Sequence, residues 1–209
     1  GAPGFDPAVK DHSLATPLEI VFSSDGATLY VAAFGSDRIG VFPAAALEDD
    51  SFDPVALSPG YIPVPGGGPA GLVLDEARGR LYVATRFDDG VSVIDLATRT
   101  ESQHHRLHNP EPEHVVDGRR FLYDARFSSA NGEASCASCH AFGDLDSLAW
   151  DLGNPDEAVT TNPIPKEALL GLLIFPGAIN GTGNVNDFHP MKGPMTTQTL
   201  RGLAHSGAM

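Results

Sequence analysis

Short runs of β-branched and aromatic residues, separated by polar turns, fill the first half of this chain, and they come twice. Residues 17 to 42 and 69 to 94 align without a gap at a constant spacing of 52 residues. Pro17 matches Pro69, Leu29-Tyr30-Val31-Ala32 matches Leu81-Tyr82-Val83-Ala84, and Ile39 and Val41 match Val91 and Val93. Self-similarity at such a period marks stacked or radial repeats. Within the first copy, Glu19-Ile20-Val21-Phe22, Thr28-Leu29-Tyr30-Val31-Ala32 and Arg38-Ile39-Gly40-Val41-Phe42 predict three strands. Ser24-Asp25-Gly26 and Ser36-Asp37 fall at the turns between them, since Gly and Asp tolerate the positive φ of a tight hairpin. Tyr61-Ile62-Pro63-Val64 supplies a fourth strand, whose proline suits an edge.

Four antiparallel strands per repeat describe a propeller blade, and a ring usually takes ~4–8 blades. The expectation is therefore that further blades lie upstream or that these two form an open sheet. After Leu107 the pattern changes. His108-Asn109-Pro110-Glu111-Pro112-Glu113 is a polar, proline-broken linker. Beyond Asp117 the apolar residues Phe121, Leu122, Ala125 and Phe127 recur at helical spacing, and residues 166–175 and 196–204 read as further short helices.

Lys and Arg number 13 against 27 Asp and Glu, a net charge of -14, so no basic stripe is present to meet nucleic-acid phosphates. The excess acid is scattered, as on a solvated surface, and would steer a basic partner. No apolar run reaches the roughly 18 residues of a membrane span. The longest, residues 168–175, stops at Pro176 and reads as a buried helix. Gly1-Ala2-Pro3 holds no signal peptide, and the last residues carry no obvious stop, so the sequence reads as a fragment.

The chain has two cysteines, and they stand in Cys136-Ala137-Ser138-Cys139-His140. Two thiols three residues apart on one turn can add across the two vinyl groups of a porphyrin, and the adjacent imidazole then reaches the iron as proximal ligand. Other uses of the pair stay open. A zinc site would need two distant histidines such as His104 and His108 to complete four ligands. A redox-active pair is expected beside a thioredoxin-like βαβ pattern, which is not found here. A disulfide over so short a span is geometrically awkward.

Gly118-Arg119-Arg120-Phe121-Leu122-Tyr123-Asp124-Ala125 leading into this motif resembles the entry helix and haem loop of bacterial cytochrome c peroxidases and of the related di-haem enzymes that mature methylamine dehydrogenase. Thr199-Leu200-Arg201-Gly202-Leu203 resembles their Pro-Thr-Leu-Arg-Asn segment, with Gln198 in the proline's place and Gly202 in the asparagine's. The two repeats resemble the Tyr-Val-Thr-Asn type of propeller repeat. Together the resemblances imply a mixed fold: two four-stranded blades over residues 1–108, then a mainly α, cytochrome c-like haem domain over residues 109–209, truncated at its C-terminus. They also imply an exported protein, periplasmic or extracellular, because haem is attached outside the bacterial cytoplasm.

A low-spin electron carrier needs a sixth ligand, commonly Met or His. Met195 follows Lys192-Gly193-Pro194 just ahead of the expected helix start at Thr196, and Met191 in His189-Pro190-Met191 is the next candidate; both also suit packing against a haem edge. His189, His205 and Met209 remain as others. Trp150 would donate to a propionate or sit in a core, and Asp144 with Asp146 is a weak calcium candidate. His104, His105 and His108 read as surface-strand residues. Three functions follow. The first is electron transfer by one haem c (iron) with a redox partner protein. The second is a haem peroxidase completed by a second haem beyond this fragment. The third is a propeller-based binding protein in which haem is structural.

Overall fold

The computed structural model describes residues 9–129, 131–151, 158 and 194–201. A one-turn helix α1 (Val9–His12) precedes a four-stranded antiparallel sheet of β1 (Pro17–Phe22), β2 (Thr28–Ala33), β3 (Arg38–Pro43) and β4 (Ile62–Pro63) in the order β1-β2-β3-β4. The one-turn helices α2 (Ala44–Glu48) and α3 (Pro54–Leu57) lie between β3 and β4, and Asp53 caps α3 by accepting the Val55 and Ala56 N–H groups. The second sheet runs β5 (Pro69–Asp75), β6 (Arg80–Thr85), β7 (Gly90–Asp95) and β8 (Thr100–Arg106) in the same up-and-down order.

Register repeats with sequence. Val21 pairs Tyr30 and Tyr30 pairs Val41 in the first sheet, as Val73 pairs Tyr82 and Tyr82 pairs Val93 in the second. Because side chains alternate across a sheet, this register turns Ala32, Ile39, Val41 and Ile62 of the first sheet onto Leu81, Val83 and Ile94 of the second. Ile39, Ile62, Leu81 and Ile94 are fully buried; each contributes roughly 1.5–3 kcal/mol by leaving water. Between the sheets β1 and β2 both pack on β5, and β4 packs on β8. Ser24 N–H donates to Glu76 Oε1 across 52 residues, one repeat.

Each sheet also carries one left-handed aspartate at the same place in the repeat, Asp37 at φ 49° and Asp89 at φ 52°. Both are held by arginines of the segment that follows the sheets, α4 (Glu113–Tyr123) and α5 (Ala125–Ser128). Arg119 Nη1 lies 2.7 Å from Asp89 Oδ2, and Arg126 Nη2 lies 2.5 Å from Asp37 Oδ2. Arg126 also forks onto Asp124, with Nε and Nη2 3.3 and 2.8 Å from Oδ2. Phe34, Phe87 and Tyr123 close an aromatic cluster, with Phe34 centroids 5.2 and 5.6 Å from the other two. These ties place α4 and α5 with the sheets. The compact units are accordingly Gly1–Ser138 and Cys139–Met209, whereas the sequence puts the change at residue 108.

The expected mainly α haem domain is not what the described residues form. Beyond residue 109, α4 is the single helix longer than one turn among them, followed by α5, by α6 (Cys136–Cys139) and by a 3-10 turn over Ala141–Gly143. Residues 194–196 pair instead as β10 (Pro194–Thr196) against β9 (Ala149–Asp151), antiparallel, with Met195 opposite Trp150. The helix expected from Thr196 does not start: residues 197–200 are irregular. The β-branched Thr196, Thr197 and Thr199 lower helix propensity there. The helices expected in residues 166–175 lie outside the described residues, as does Met191. No helix among the described residues is long and apolar enough to cross a membrane.

Asp37 gives this unit a pH signature. Burial pushes its carboxyl up to about 6, helped by the Asp124 carboxylate and opposed by the Gly68 N–H and by Arg126 and Arg120. An unfolded chain releases this proton near 3.8, so between those values the folded state holds a proton that the unfolded state has lost. The group's contribution is therefore full below the unfolded value and is lost as pH rises through about 6; it amounts to at most about 3 kcal/mol. Asp37→Asn should remove that component. The difference in urea midpoint between the two chains, followed from pH 4 to 7, is expected to change with pH, and a flat difference would refute the assignment.

Candidate functional site

The division between the two units falls inside the cysteine motif, between Ser138 and Cys139. On the first side, Ser135 and Ser138 stitch the start of α6. Ser135 N–H donates to Ser138 Oγ at 3.1 Å, and Ser138 N–H donates to the Ser135 carbonyl at 3.0 Å. That reciprocal pairing closes one helical turn, and a turn sets residues three apart on one face. Both cysteines are free thiols; Cys136 is exposed and Cys139 is half-buried.

On the second side, His140 Nδ1 stands 2.6 Å from the Gln198 carbonyl oxygen. A carbonyl can only accept, so Nδ1 carries a proton, and in the neutral ring Nε2 is then the nitrogen with the free lone pair. This is the arrangement that metal-ligating histidines use to fix tautomer and ring direction. The chain turns back after His140 through Phe142 and Gly143, both at positive φ. It is then laced to residues 197–201: Leu200 N–H donates to the Gly143 carbonyl, Thr197 Oγ1 to Asp146 Oδ1, and Arg201 Nε lies 3.2 Å from Asp144 Oδ2. The Leu145 N–H, then the Thr199 hydroxyl and Arg201, hold the Asp144 carboxyl below its ordinary value. Asp144 and Asp146, the calcium candidates, thus each have protein partners. Among the described residues no group of three or more His, Cys, Asp or Glu side chains is arranged to hold a metal ion.

Cys136 and Cys139 are thus free thiols three residues apart in sequence, and His140 has Nδ1 committed to a backbone carbonyl. Gln198 was invisible as a partner in the sequence, because it acts through its backbone carbonyl and any residue supplies one. Met195 has its backbone in β10, three residues before that carbonyl.

A second cluster lies in the first unit, in a cleft of about 390 Å³ lined by Phe87, Asp88, Glu101, His104, Arg106 and Arg120. His104 Nδ1 is 3.0 Å from Ser92 Oγ and its Nε2 is 2.7 Å from Asp88 Oδ2. That is the order of a nucleophilic triad, but Ser92 is fully buried and its hydroxyl donates to Glu101 Oε2 at 2.5 Å. No substrate can reach it, so the cluster ties β7 to β8. His104 Nδ1 lies 3.2 Å from Glu101 Oε2 as well as beside Ser92, and His105 and His108 are exposed.

The chain matches no protein-family profile and no curated protein sequence. Among solved structures it is similar to a hydrazine synthase from Kuenenia stuttgartiensis, at 22% identity and a TM-score of 0.35, over 44% of this chain and 23% of that one. It is also similar to a periplasmic gluconolactonase from Pseudomonas aeruginosa, at 24% identity and a TM-score of 0.39, over 46% and 28% of the two chains. The likeness thus spans about a quarter of each of those proteins.

Proposed function

We propose that this chain carries one haem c (iron), attached through Cys136 and Cys139 with His140 as the axial ligand, and that it transfers electrons in the bacterial periplasm or outside the cell. The observation that carries this reading is the His140 Nδ1 bond to the Gln198 carbonyl, which leaves Nε2 as the ligand next to the chain's two thiols. The resemblance of the motif to the haem loop of bacterial cytochrome c peroxidases supports the same reading, which concerns attachment and ligation and not a helical domain.

When bound, the haem supplies a one-electron ferric–ferrous couple. The thiols anchor it and α6 sets their separation. The hydrogen bond from Nδ1 raises the basicity of Nε2 and stops the ring from rotating. Met195 is the first candidate for the opposite face and Met191 the second. The net charge of -14 favours a basic redox partner at low ionic strength.

The exported protein is expected to gain the mass of one haem that survives acid–acetone extraction, with the pyridine haemochrome spectrum of two thioethers. A chain of apoprotein mass, or of apoprotein plus zinc, overturns the reading. With Met195 as sixth ligand, the oxidised protein shows a weak near-infrared charge-transfer band that Met195→Ala erases. A band erased by Met191→Ala instead moves the ligand by four residues. A five-coordinate iron that reacts with peroxide would favour the peroxidase-type reading.

A further inference from the structure

The His140 ring meets a carbonyl 58 residues further along the chain, at a site open to solvent. Water competes for the Nδ1 proton there, so the bond keeps its direction only while residue 198 is held in place. The chain reverses just after the imidazole, through Phe142 and Gly143 at φ 56° and 71°. Asp144 follows the reversal and collects donors from both of its sides. The Leu145 N–H donates to Oδ1 at 2.9 Å, the Thr199 hydroxyl donates to the same carboxylate, and Arg201 Nε lies 3.2 Å from Oδ2.

The far side of this grip is itself tied together. The Arg201 N–H donates to Thr199 Oγ1 at 3.1 Å, so Thr199 accepts from Arg201 and spends its single proton on Asp144. The Leu200 N–H donates to the Gly143 carbonyl at 2.9 Å. Residues 199, 200 and 201 are thus each fastened to Gly143 or Asp144, and Gln198 is the residue just before them. On the other side of Gln198, the Thr197 hydroxyl donates to Asp146 Oδ1. Of the two carboxylates, Asp144 takes both a hydroxyl and a guanidinium from the far segment, and a charged donor is the stronger tie.

We propose that Asp144 is the positioning residue of His140: by gripping Thr199 and Arg201 it sets the Gln198 carbonyl against Nδ1 and so fixes the direction of the ring. Its consequence for iron rests on the haem attachment proposed above. An acceptor held on Nδ1 makes Nε2 more basic, which favours ferric over ferrous iron and lowers the potential. Loosening the grip raises the potential.

Three substitutions separate this from the effect of a nearby charge. Asp144→Ala removes the grip, Thr199→Val removes one donor at constant charge, and Arg201→Gln removes the other donor together with a positive charge. Thr199 and Arg201 are exposed, so unchanged circular dichroism is expected for those two variants. Charge alone would raise the potential in Asp144→Ala, leave it in Thr199→Val and lower it in Arg201→Gln. Asp144 as positioning residue requires a rise in all three, read by redox titration of the holoprotein. The pattern of charge alone, or a potential that none of the three moves, overturns the proposal.

A second readout does not need the haem. In proton–nitrogen spectra of the full chain, the His140 Nδ1 proton is expected to exchange slowly with solvent. Asp144→Ala and Thr199→Val should each speed that exchange about tenfold, the loss of one hydrogen bond of ordinary strength. A parent whose His140 proton exchanges as fast as those of the exposed His108 overturns the proposal, and so do variants that leave the exchange unchanged. A chain that carries no haem and still shows the acceleration supports Asp144 as the positioning residue and defeats the electron-transfer reading instead.

Discussion

Arg126→Met is expected to remove about 3–5 kcal/mol of the stability of the first unit, the cost of leaving buried carboxylates without their cation. Asp124 is fully buried and Asp37 is 4% exposed, and both rest on the same guanidinium. Arg120 Nη1 stands 3.9 Å from Asp37 and meets Asp124 through its backbone carbonyl, which accepts the Asp124 N–H, so its guanidinium does not replace the lost fork. Against a total stability of roughly 5–15 kcal/mol, such a loss is a large share. Arg126→Lys should fall between the two, because one ammonium cannot meet two carboxylates with the planar geometry of a guanidinium. Asp124→Asn added to Arg126→Met should restore part of the loss by discharging one of the stranded groups. Urea unfolding followed by circular dichroism reads all three; a loss below about 1 kcal/mol for Arg126→Met would show that water, and not Arg126, compensates the carboxylates.

His140→Ala is expected to keep the covalent haem and to abolish the low-spin ferrous spectrum completely. Attachment depends on the two thiols, whereas axial nitrogen ligation depends on this one ring. Added imidazole should restore the spectrum by entering the vacated position. Gln198→Ala should change little, since the acceptor is the backbone carbonyl and survives the substitution. His104→Ala should leave the spectrum untouched and instead lower stability, because His104 bridges Asp88 and Glu101 inside the first unit. An unaltered spectrum in His140→Ala would move the ligand to another residue.

The two sheets were legible in the sequence because the signal repeats. Leu29-Tyr30-Val31-Ala32 and Leu81-Tyr82-Val83-Ala84 carry the same period-2 pattern, and each strengthens the reading of the other. The fourth strand of the first sheet was legible only as an edge, and it forms just Ile62–Pro63. The second half misled for a physical reason: Leu200 and Leu203 have the spacing of a helix, yet three threonines disfavour it, and Thr196 is drawn into pairing with β9. The grip of Arg126 on Asp37 spans 89 residues and follows no local pattern. The spacing of Cys136, Cys139 and His140 was plain in the sequence; the Gln198 carbonyl that His140 Nδ1 meets was not, since a backbone acceptor has no side-chain signature.

The bond from His140 reaches forward 58 residues to Gln198, and this imposes an order of assembly on a chain made from its N-terminus. Both thiols are available as soon as α6 has emerged, while the imidazole still turns freely. Its direction is fixed only when residues 194–201 arrive to pair with β9 and lace the loop. A chain cut anywhere in that interval would keep both points of anchorage and lose the ligand's aim. With haem attached as proposed, damage of that kind would leave the haem count unchanged and be read from the iron's spectrum alone.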